Sequence, residues 1–549
     1  MASSPDSPAL ALETPAQTSY AKMEEDAEPR KDWRFWVVFL SCCFLALLVS
    51  LDGTVVVIAL PRIANDLHIG DDYVWVANAF WLAGTVFQPL CAQLSDIFGR
   101  KTPVLTSIAI FFVGGAVTGA AQSGAALIAG RTVQGLGAGG IMLLMEVVVC
   151  DIVSLRERGK YLSIVLSGAA IGAIVGPPIG GAIANHNWRW IFLMNLPISA
   201  AVFLVMAFFM RLRFTKADSW RTAASRIDWI GSALFVCSIT SLLLGLVFGG
   251  VLFPWHSWHI ILPITLGVLG WAAFHMYERS KFCPNPAVPS RLFANRTSAA
   301  GYAIIFVQSM MFTWTAFEWP TYFQGVLQTS PLRAGINYIA FEAFLIPAAG
   351  VSGQILTKTG HYRPLQFAGF ALLTLSAGLN ILLDAGTSTV KWVCLIAVNA
   401  LGLGLLLPTM LPAILASLPE SDIALGTGIY SFFRSFGYIW GVTIPAVIFN
   451  ASFDRYSGQI SDVGLRQALG QGKAYQYVSG AFLRSLSPVL RAQVVGVYVQ
   501  SLRVAWEVAA AFGFVGILLV CVEKHVTLRT KVESEYGLES RPRREQSQA

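Results

Sequence analysis

RTVQGLGAGG (residues 131–140) opens an apolar run, the charged turn DIVSLRERGK (151–160) follows, and a second apolar run ends IGAIVGPPIGG (171–181). Each run is about long enough to cross a hydrocarbon core, which takes roughly 20 residues, yet both hold residues that a lipid-facing helix avoids. Arg131 lies near the start of its span, where an unpaired guanidinium is costly unless protein or water surrounds it. The interior must therefore be polar. Gly135, Gly137, Gly139 and Gly140 strip side chains from one region of the first helix. Gly172, Gly176 and Gly180 recur at four-residue spacing on one face of the second, so neighbouring backbones can come close. Pro177 and Pro178 remove two backbone donors, so this helix bends or is re-satisfied by its packing partners.

The rest of the chain has the same character. Of 549 residues 13% are charged and 55% hydrophobic, with mean hydropathy +0.61, against about 25% charged in soluble domains. Fourteen apolar runs can be marked from Phe35 to Cys521, which predicts an all-α polytopic membrane protein with 14 transmembrane helices. The first 32 residues are polar and the run after them is too long for a signal core, so a disordered cytosolic tail is expected and no cleaved signal. Lys and Arg concentrate in the segments that this topology puts inside, placing both termini in the cytosol. The net charge of +7 thus reads as topology, with no nucleic-acid partner. No pair of the eight cysteines falls in an outside loop, so neither a disulfide nor a metal site is expected. No nucleophile with a partnered base and no phosphate loop is present, which argues against an enzyme and against a cofactor.

Span 1 ends LDGTVVVIALP. At 1.5 Å per residue Asp52 lies about 9 Å below its outer end, and Arg131, on a helix running the other way, about 8 Å below its own. Equal depth predicts a pair. Span 2 ends LSDIFGRK, where Gly99 allows a tight turn that brings Arg100 and Lys101 back toward Asp96. This turn is a cytosolic gate loop or, equally, a basic turn that serves topology alone. Gly353, Thr357 and Gly360 in GQILTKTGHYRP repeat the spacing of Ala92, Asp96 and Gly99, as expected of two halves related by duplication. WRWIFLMNLP opens span 6 with Trp188 and Trp190 as interfacial anchors. The domain reading is a tail (1–34), a six-helix bundle (35–210), a basic linker (211–227), an inserted helix pair (228–277), a loop (278–298), a second six-helix bundle (299–522) with an outside loop near 450–495, and a tail (523–549).

Several polar residues stand in apolar surroundings. Gln308 and Trp314 of the aromatic span 9 lie at the depth of a ring-lined cavity, although lipid-facing aromatics with an outer belt at Trp319 and Tyr322 fit equally. Glu318 lies near the outer interface, where hydration would suffice. Glu342 and Asn399 join the candidate cavity wall. Arg434 reaches the depth of Glu507, giving either a structural ion pair or a coupling role. Glu146 is a candidate proton carrier or the salt-bridge partner of Arg156 or Arg158. Asn450-Ala-Ser is an N-glycosylation sequon in the outside loop; Asn295-Arg-Thr falls inside.

On these residues the chain resembles the major facilitator superfamily, and within it the drug:proton antiporter family with fourteen spans. Arg131-x-x-Gln134-Gly135-x-Gly137 is similar to the fourth-helix motif, and Gly172-x-x-x-Gly176-Pro177-x-x-Gly180-Gly181 to the fifth-helix antiporter motif. Asp52 with Ala59, Leu60 and Pro61 is similar to the first-helix motif, with Val57 where a polar residue is common. The loop motif keeps Asp96, Gly99, Arg100 and Lys101 but has Ala92 and Ile97 at two other positions. The resemblance implies two pseudo-symmetric bundles (6+2+6) rocking around a cavity lined mainly by spans 1, 4, 9 and 12. It also implies proton-coupled efflux of an amphipathic small molecule, a toxin, drug or secondary metabolite, as in fungal efflux pumps. Asp52, Arg131 and Glu146 are the residues expected to couple protons. The expected partners are substrate, protons and bilayer, for a monomer in the plasma or vacuolar membrane. Proton-coupled uptake or organellar import, and a non-transporting sensor or scaffold, remain open.

Overall fold

The computed structural model describes residues 32–67, 74–211, 225–249, 253–284, 286–470, 474–478 and 480–528. They form fourteen long helices: α1 (Trp33–Asp66), α2 (Val74–Phe98), α3 (Lys101–Gly119), α4 (Gly124–Ile152), α5 (Leu155–His186), α6 (Asn195–Phe209), α7 (Trp229–Phe248), α8 (Trp258–Glu278), α9 (Arg296–Thr321), α10 (Pro331–Thr359), α11 (Arg363–Asn380), α12 (Thr389–Leu406), α13 (Ile423–Tyr456) and α14 (Pro488–Val522). Twelve helical segments among the described residues are long and apolar enough to cross a membrane, and α2 and α11 pack among them.

The duplication read from two loops extends through the architecture. In the first half α1 packs on α5, α2 and α3 on α4, and α3 on α6. In the second half α9 packs on α13, α10 and α11 on α12, and α11 on α14. The turns after α2 and α10 match as well, since Gly99 (φ 75°) and Gly360 (φ 70°) both take the left-handed backbone that favours glycine. Between the halves the seams are also equivalent: α2 meets α13 and α5 meets α10. The inserted pair α7–α8 lies over one seam. Phe248 of α7 packs edge-on against Trp75 of α2 at 5.0 Å, and Phe235 against Phe432 of α13 at 5.1 Å.

Small residues hold the first bundle together, because lipid gives apolar faces no reason to pair and close backbone approach must supply the contact. The glycines of α4 serve two partners. A β-carbon at Gly135 or Gly139 would run into the backbone of Phe80 or Gly84 on α2, and one at Gly137 or Gly140 into Phe111 or Ser107 on α3. On α5, Gly172 and Gly176 receive the Leu47 carbonyl and Thr54 of α1. For Pro177, Gly180 and Gly181 of that motif, as for Val57, Ala59, Leu60 and Pro61 of α1, only the helical backbone is described. Gly139→Val should destabilise the bundle by about 1–3 kcal/mol or more through overpacking. Gly335→Val, on an open face with nothing near its β-carbon, should leave the midpoint unchanged in detergent thermal unfolding.

The C-terminal tail departs from the expected disorder at its start. Tyr362 Oη donates to the Lys524 carbonyl at 3.1 Å and accepts from the Val526 amide at 2.8 Å, while Thr297 Oγ1 donates to the same Lys524 carbonyl at 3.1 Å. Glu523 is buried in this clasp, which pushes its carboxyl up to about 8, with Arg363 opposing. A raised folded value means that docking is strongest at acidic pH, weakens between the ordinary carboxyl value and about 8, and is constant above. The loss approaches about 1.4 kcal/mol per pH unit. The protection factors of the amides of residues 523–528, which divide out the base-catalysed intrinsic exchange, should therefore fall from pH 5 to pH 8 in the wild type and stay level in Glu523→Gln.

Candidate transport site

Asp52 and Arg131, predicted to meet from their depths, form a fully buried ion pair at 2.6 Å. The pair is the centre of a network that ties four helices together. Gln134 Nε2 and Asn195 Nδ2 both donate to Asp52 Oδ1, at 3.0 and 2.5 Å. Arg131 Nη1 also donates to Gln134 Oε1, and its Nε to the Val76 carbonyl, both at 3.0 Å. Phe80 closes the network, with the guanidinium 4.1 Å from its ring centroid. In the sequence Asn195 is only one residue of the WRWIFLMNLP opening of span 6, and nothing there names Asp52 as its partner.

The loop after α2 also forms a network, with a different division of labour from the expected one. Arg100 turns back to Asp96 at 2.5 Å and reaches Asp151 at the end of α4 at 2.7 Å. Lys101 goes instead to the Ala207 carbonyl on α6 at 2.6 Å. In the second copy Thr357 Oγ1 bonds back to the Gly353 carbonyl of its own helix at 2.8 Å.

The expected partners of Glu146 and Arg434 are corrected: the two pair with each other across the two halves. Ser431 Oγ adds a hydrogen bond to Glu146 at 2.8 Å. Arg158 bonds the Cys150 carbonyl at 2.9 Å and lies 3.7 Å from Glu420; Arg156 has its side chain outside the described residues. Glu507 is exposed on the outer face of α14. Helix phase explains the error, since depth alone cannot say which way a side chain points.

With that pair the bundles touch at the end where α1 begins and α14 finishes. Ala92 meets Gly428, Gly353 meets Lys160, and Leu356 and Pro408 crowd Gly159. Above this closed end lies a cavity of about 680 Å³ between the halves. Its wall runs from Met142, Ser163, Leu407 and Arg434 at the floor to Asn78, Gly249 and Asn450 near the opposite helix ends. Trp81, Phe312, Phe317 and Tyr438 supply rings; Ser50, Thr54, Ser167, Thr313 and Thr443 supply hydroxyls. Such a wall suits a flat amphipathic molecule.

The cavity corrects part of the site reading. Glu342 and Arg434 line it, but Gln308, Trp314 and Asn399 do not. Gln308 is buried beside Ser309, Trp314 packs on Phe512 of α14 at 5.9 Å, and Asn399 is buried in α12. The cavity face of α9 is Phe312, Thr313 and Phe317, one step around from the predicted stripe. The walls come mainly from α1, α2, α5, α9, α10 and α13, with α4 and the end of α12 giving one residue each and the inserted α7 giving Leu246 and Gly249. Asn450 lies inside α13, not in a loop; it lines the cavity and accepts from the Tyr475 amide at 3.0 Å.

Two bundles of six helices, joined by buried ion pairs beneath an amphipathic central cavity, define a multi-pass membrane transporter of small molecules. The chain belongs to the Major Facilitator Superfamily, whose family model matches residues 42–442. It is 44% identical over 522 residues to the "MFS efflux transporter aclA" of Aspergillus oryzae, covering 94% of this chain and 95% of that one. It is 40% identical over 528 residues to "Efflux pump FUS6" of Gibberella fujikuroi, covering 95% of each chain. Among solved structures, the human organic anion transporter MFSD10 superposes with a TM-score of 0.57 at 14% identity, over 90% of this chain and all of that one. The proton:xylose symporter XylE gives 0.54 at 12% identity, over 88% of this chain and 94% of that one. These two share its fold.

Proposed function

We propose that this protein exports an amphipathic small molecule, of the toxin or secondary-metabolite kind, from the cytosol in exchange for protons, by alternating access. The observation that carries this reading is the Glu146–Arg434 pair, which joins the two halves directly beneath the cavity. A cavity closed at one end by charges that cross between the bundles is what a rocking transporter needs in one of its two states. Efflux follows from the names of the relatives, and the orientation from the concentration of Lys and Arg at the closed end. On this reading the termini and the Asp96–Arg100 loop lie in the cytosol of a plasma-membrane monomer, and the described conformation faces outward.

Asp52 and Glu146 are the proposed coupling carboxylates. Each shares a buried site with an arginine, so taking up a proton dissolves an ion pair and changes which packing is favoured. In the test, cells expressing the wild type or Arg131→Ala accumulate fluorescent amphipathic toxins with and without a protonophore. Export predicts several-fold lower accumulation that needs both Arg131 and the proton gradient. Wild-type cells that match the vector control, with surface expression verified, would count against efflux of this class. Uptake would raise accumulation instead.

A further inference from the structure

We propose that Glu318 is a separate proton-binding site of the transport cycle, gated by Tyr475 of the α13–α14 connection. The proposal rests on the proton-coupled reading above. Glu318, expected to be hydrated at the outer interface, is only 1% exposed, and among the described residues neither carboxyl oxygen has a hydrogen-bond partner. Asp52 and Glu146, by contrast, each hold an arginine. Among the described residues no Lys or Arg forms an ion pair with Glu318, and the titratable group acting across to it is the Tyr475 phenol. A charge buried there would have nothing to offset its desolvation. Glu318 is therefore carried as the neutral acid in this conformation, with its proton in place.

Tyr475 lies on the 3₁₀ turn Ala474–Tyr477 and is pinned from three sides. Its Oη accepts from Thr321 Oγ1 at 3.2 Å, and Thr321 is one turn beyond Glu318 on α9. Its ring stacks on Phe317 at 6.1 Å, and its amide donates to Asn450. Phe317 and Asn450 are cavity-wall residues, so a substrate that displaces either one also moves Tyr475. That contact links cargo to the proton. In the transfer a displaced Tyr475 brings its Oη within hydrogen-bond reach of Glu318; the carboxyl O–H bond breaks and its proton passes to Oη, while the phenol gives its own proton to water at the mouth. One proton leaves and a carboxylate remains, which disfavours this packing and drives the next change of state.

The test uses the full chain in lipid nanodiscs. Infrared difference spectra over a pH titration should show the carbonyl stretch of a protonated carboxyl in the wild type and its loss in Glu318→Gln. Because Gln resembles the neutral acid, this variant should keep the wild-type melting midpoint. Tyr475→Phe keeps the ring packing and should retain the band, but deuterium exchange of that carboxyl should slow by at least about tenfold, as expected on removing a proton-relay group. A band unchanged in Glu318→Gln overturns the site, and exchange in Tyr475→Phe at the wild-type rate overturns the gate. Protonophore-insensitive export by the wild type in the cell accumulation assay removes Glu318 from a coupled cycle even where the nanodisc band assigns it a proton, which separates failure of the coupled reading from failure of the site.

Discussion

Glu146→Gln should shift the conformational equilibrium away from the described state by roughly 10² to several 10³-fold and abolish gradient-driven export. Removing one partner of a buried ion pair costs about 3–5 kcal/mol where the other charge stays buried. Here Arg434, 3% exposed at the cavity floor, would be left without its carboxylate. The pair joins α4 to α13, so it must separate when the halves rock apart at that end. The cost thus falls mainly on the closed state, and a penalty confined to one of two states becomes a population shift of that size. Labelling of a Ser167→Cys cavity reporter by an impermeant thiol reagent, in a background without native cysteines, reads the shift, because Ser167 lines the cavity. The reagent should label the reporter from outside in the wild type and far more slowly with Glu146→Gln. Ser431→Ala, which removes one hydrogen bond to Glu146, should move the equilibrium by only about 1 kcal/mol. Glu507→Gln, on the exposed face of α14, should move nothing. Reporter labelling at the wild-type rate in Glu146→Gln would mean that the pair is not the latch.

These contrasts show which parts of the molecule the sequence reveals. Depth is legible, because residues count off at a fixed rise along a span, and Asp52 was matched to Arg131 on that basis alone. Glycine-lined contacts are legible for a similar reason, since Gly135, Gly139, Gly172 and Gly176 mark places where backbones can meet. Rotation about the helix axis is not legible. In a soluble helix the polar face marks the outside, but lipid and protein interior are both apolar, so the aromatic stripe of α9 gives no phase. The sequence therefore offers Trp314 as a cavity ring and gives no sign of Phe317, although they are three residues apart on one helix. The same ambiguity paired Arg434 with Glu507, which matches its depth but faces away. Long-range partners such as Glu146 for Arg434 or Tyr475 for Thr321 require the fold itself, because nothing local to either residue names the other.

Asp52→Asn should reduce proton-dependent export to the vector level, and the way it does so separates coupling from scaffolding. The amide keeps the size of the carboxylate and one acceptor for Gln134 or Asn195, but it removes the charge that compensates Arg131. The guanidinium, fully buried and packed on Phe80, would then lie in the bundle core without a counter-charge, a loss of several kcal/mol. Arg131→Ala makes the reciprocal error, leaving a carboxylate with only two neutral donors. Each single variant should therefore lower the melting midpoint in detergent and lose export together. The double variant Asp52→Asn/Arg131→Ala removes both charges, so much of the stability should return, with a coupling energy above the ~0.5 kcal/mol typical of independent sites. Export is the discriminating measurement in that double variant. If the pair takes part in proton exchange, a stable protein with a neutral core still fails to export, because the carboxyl whose protonation would dissolve the ion pair is gone. If export returns along with the stability, the pair only holds four helices together, and the proton must be carried elsewhere, by Glu146 or Glu318.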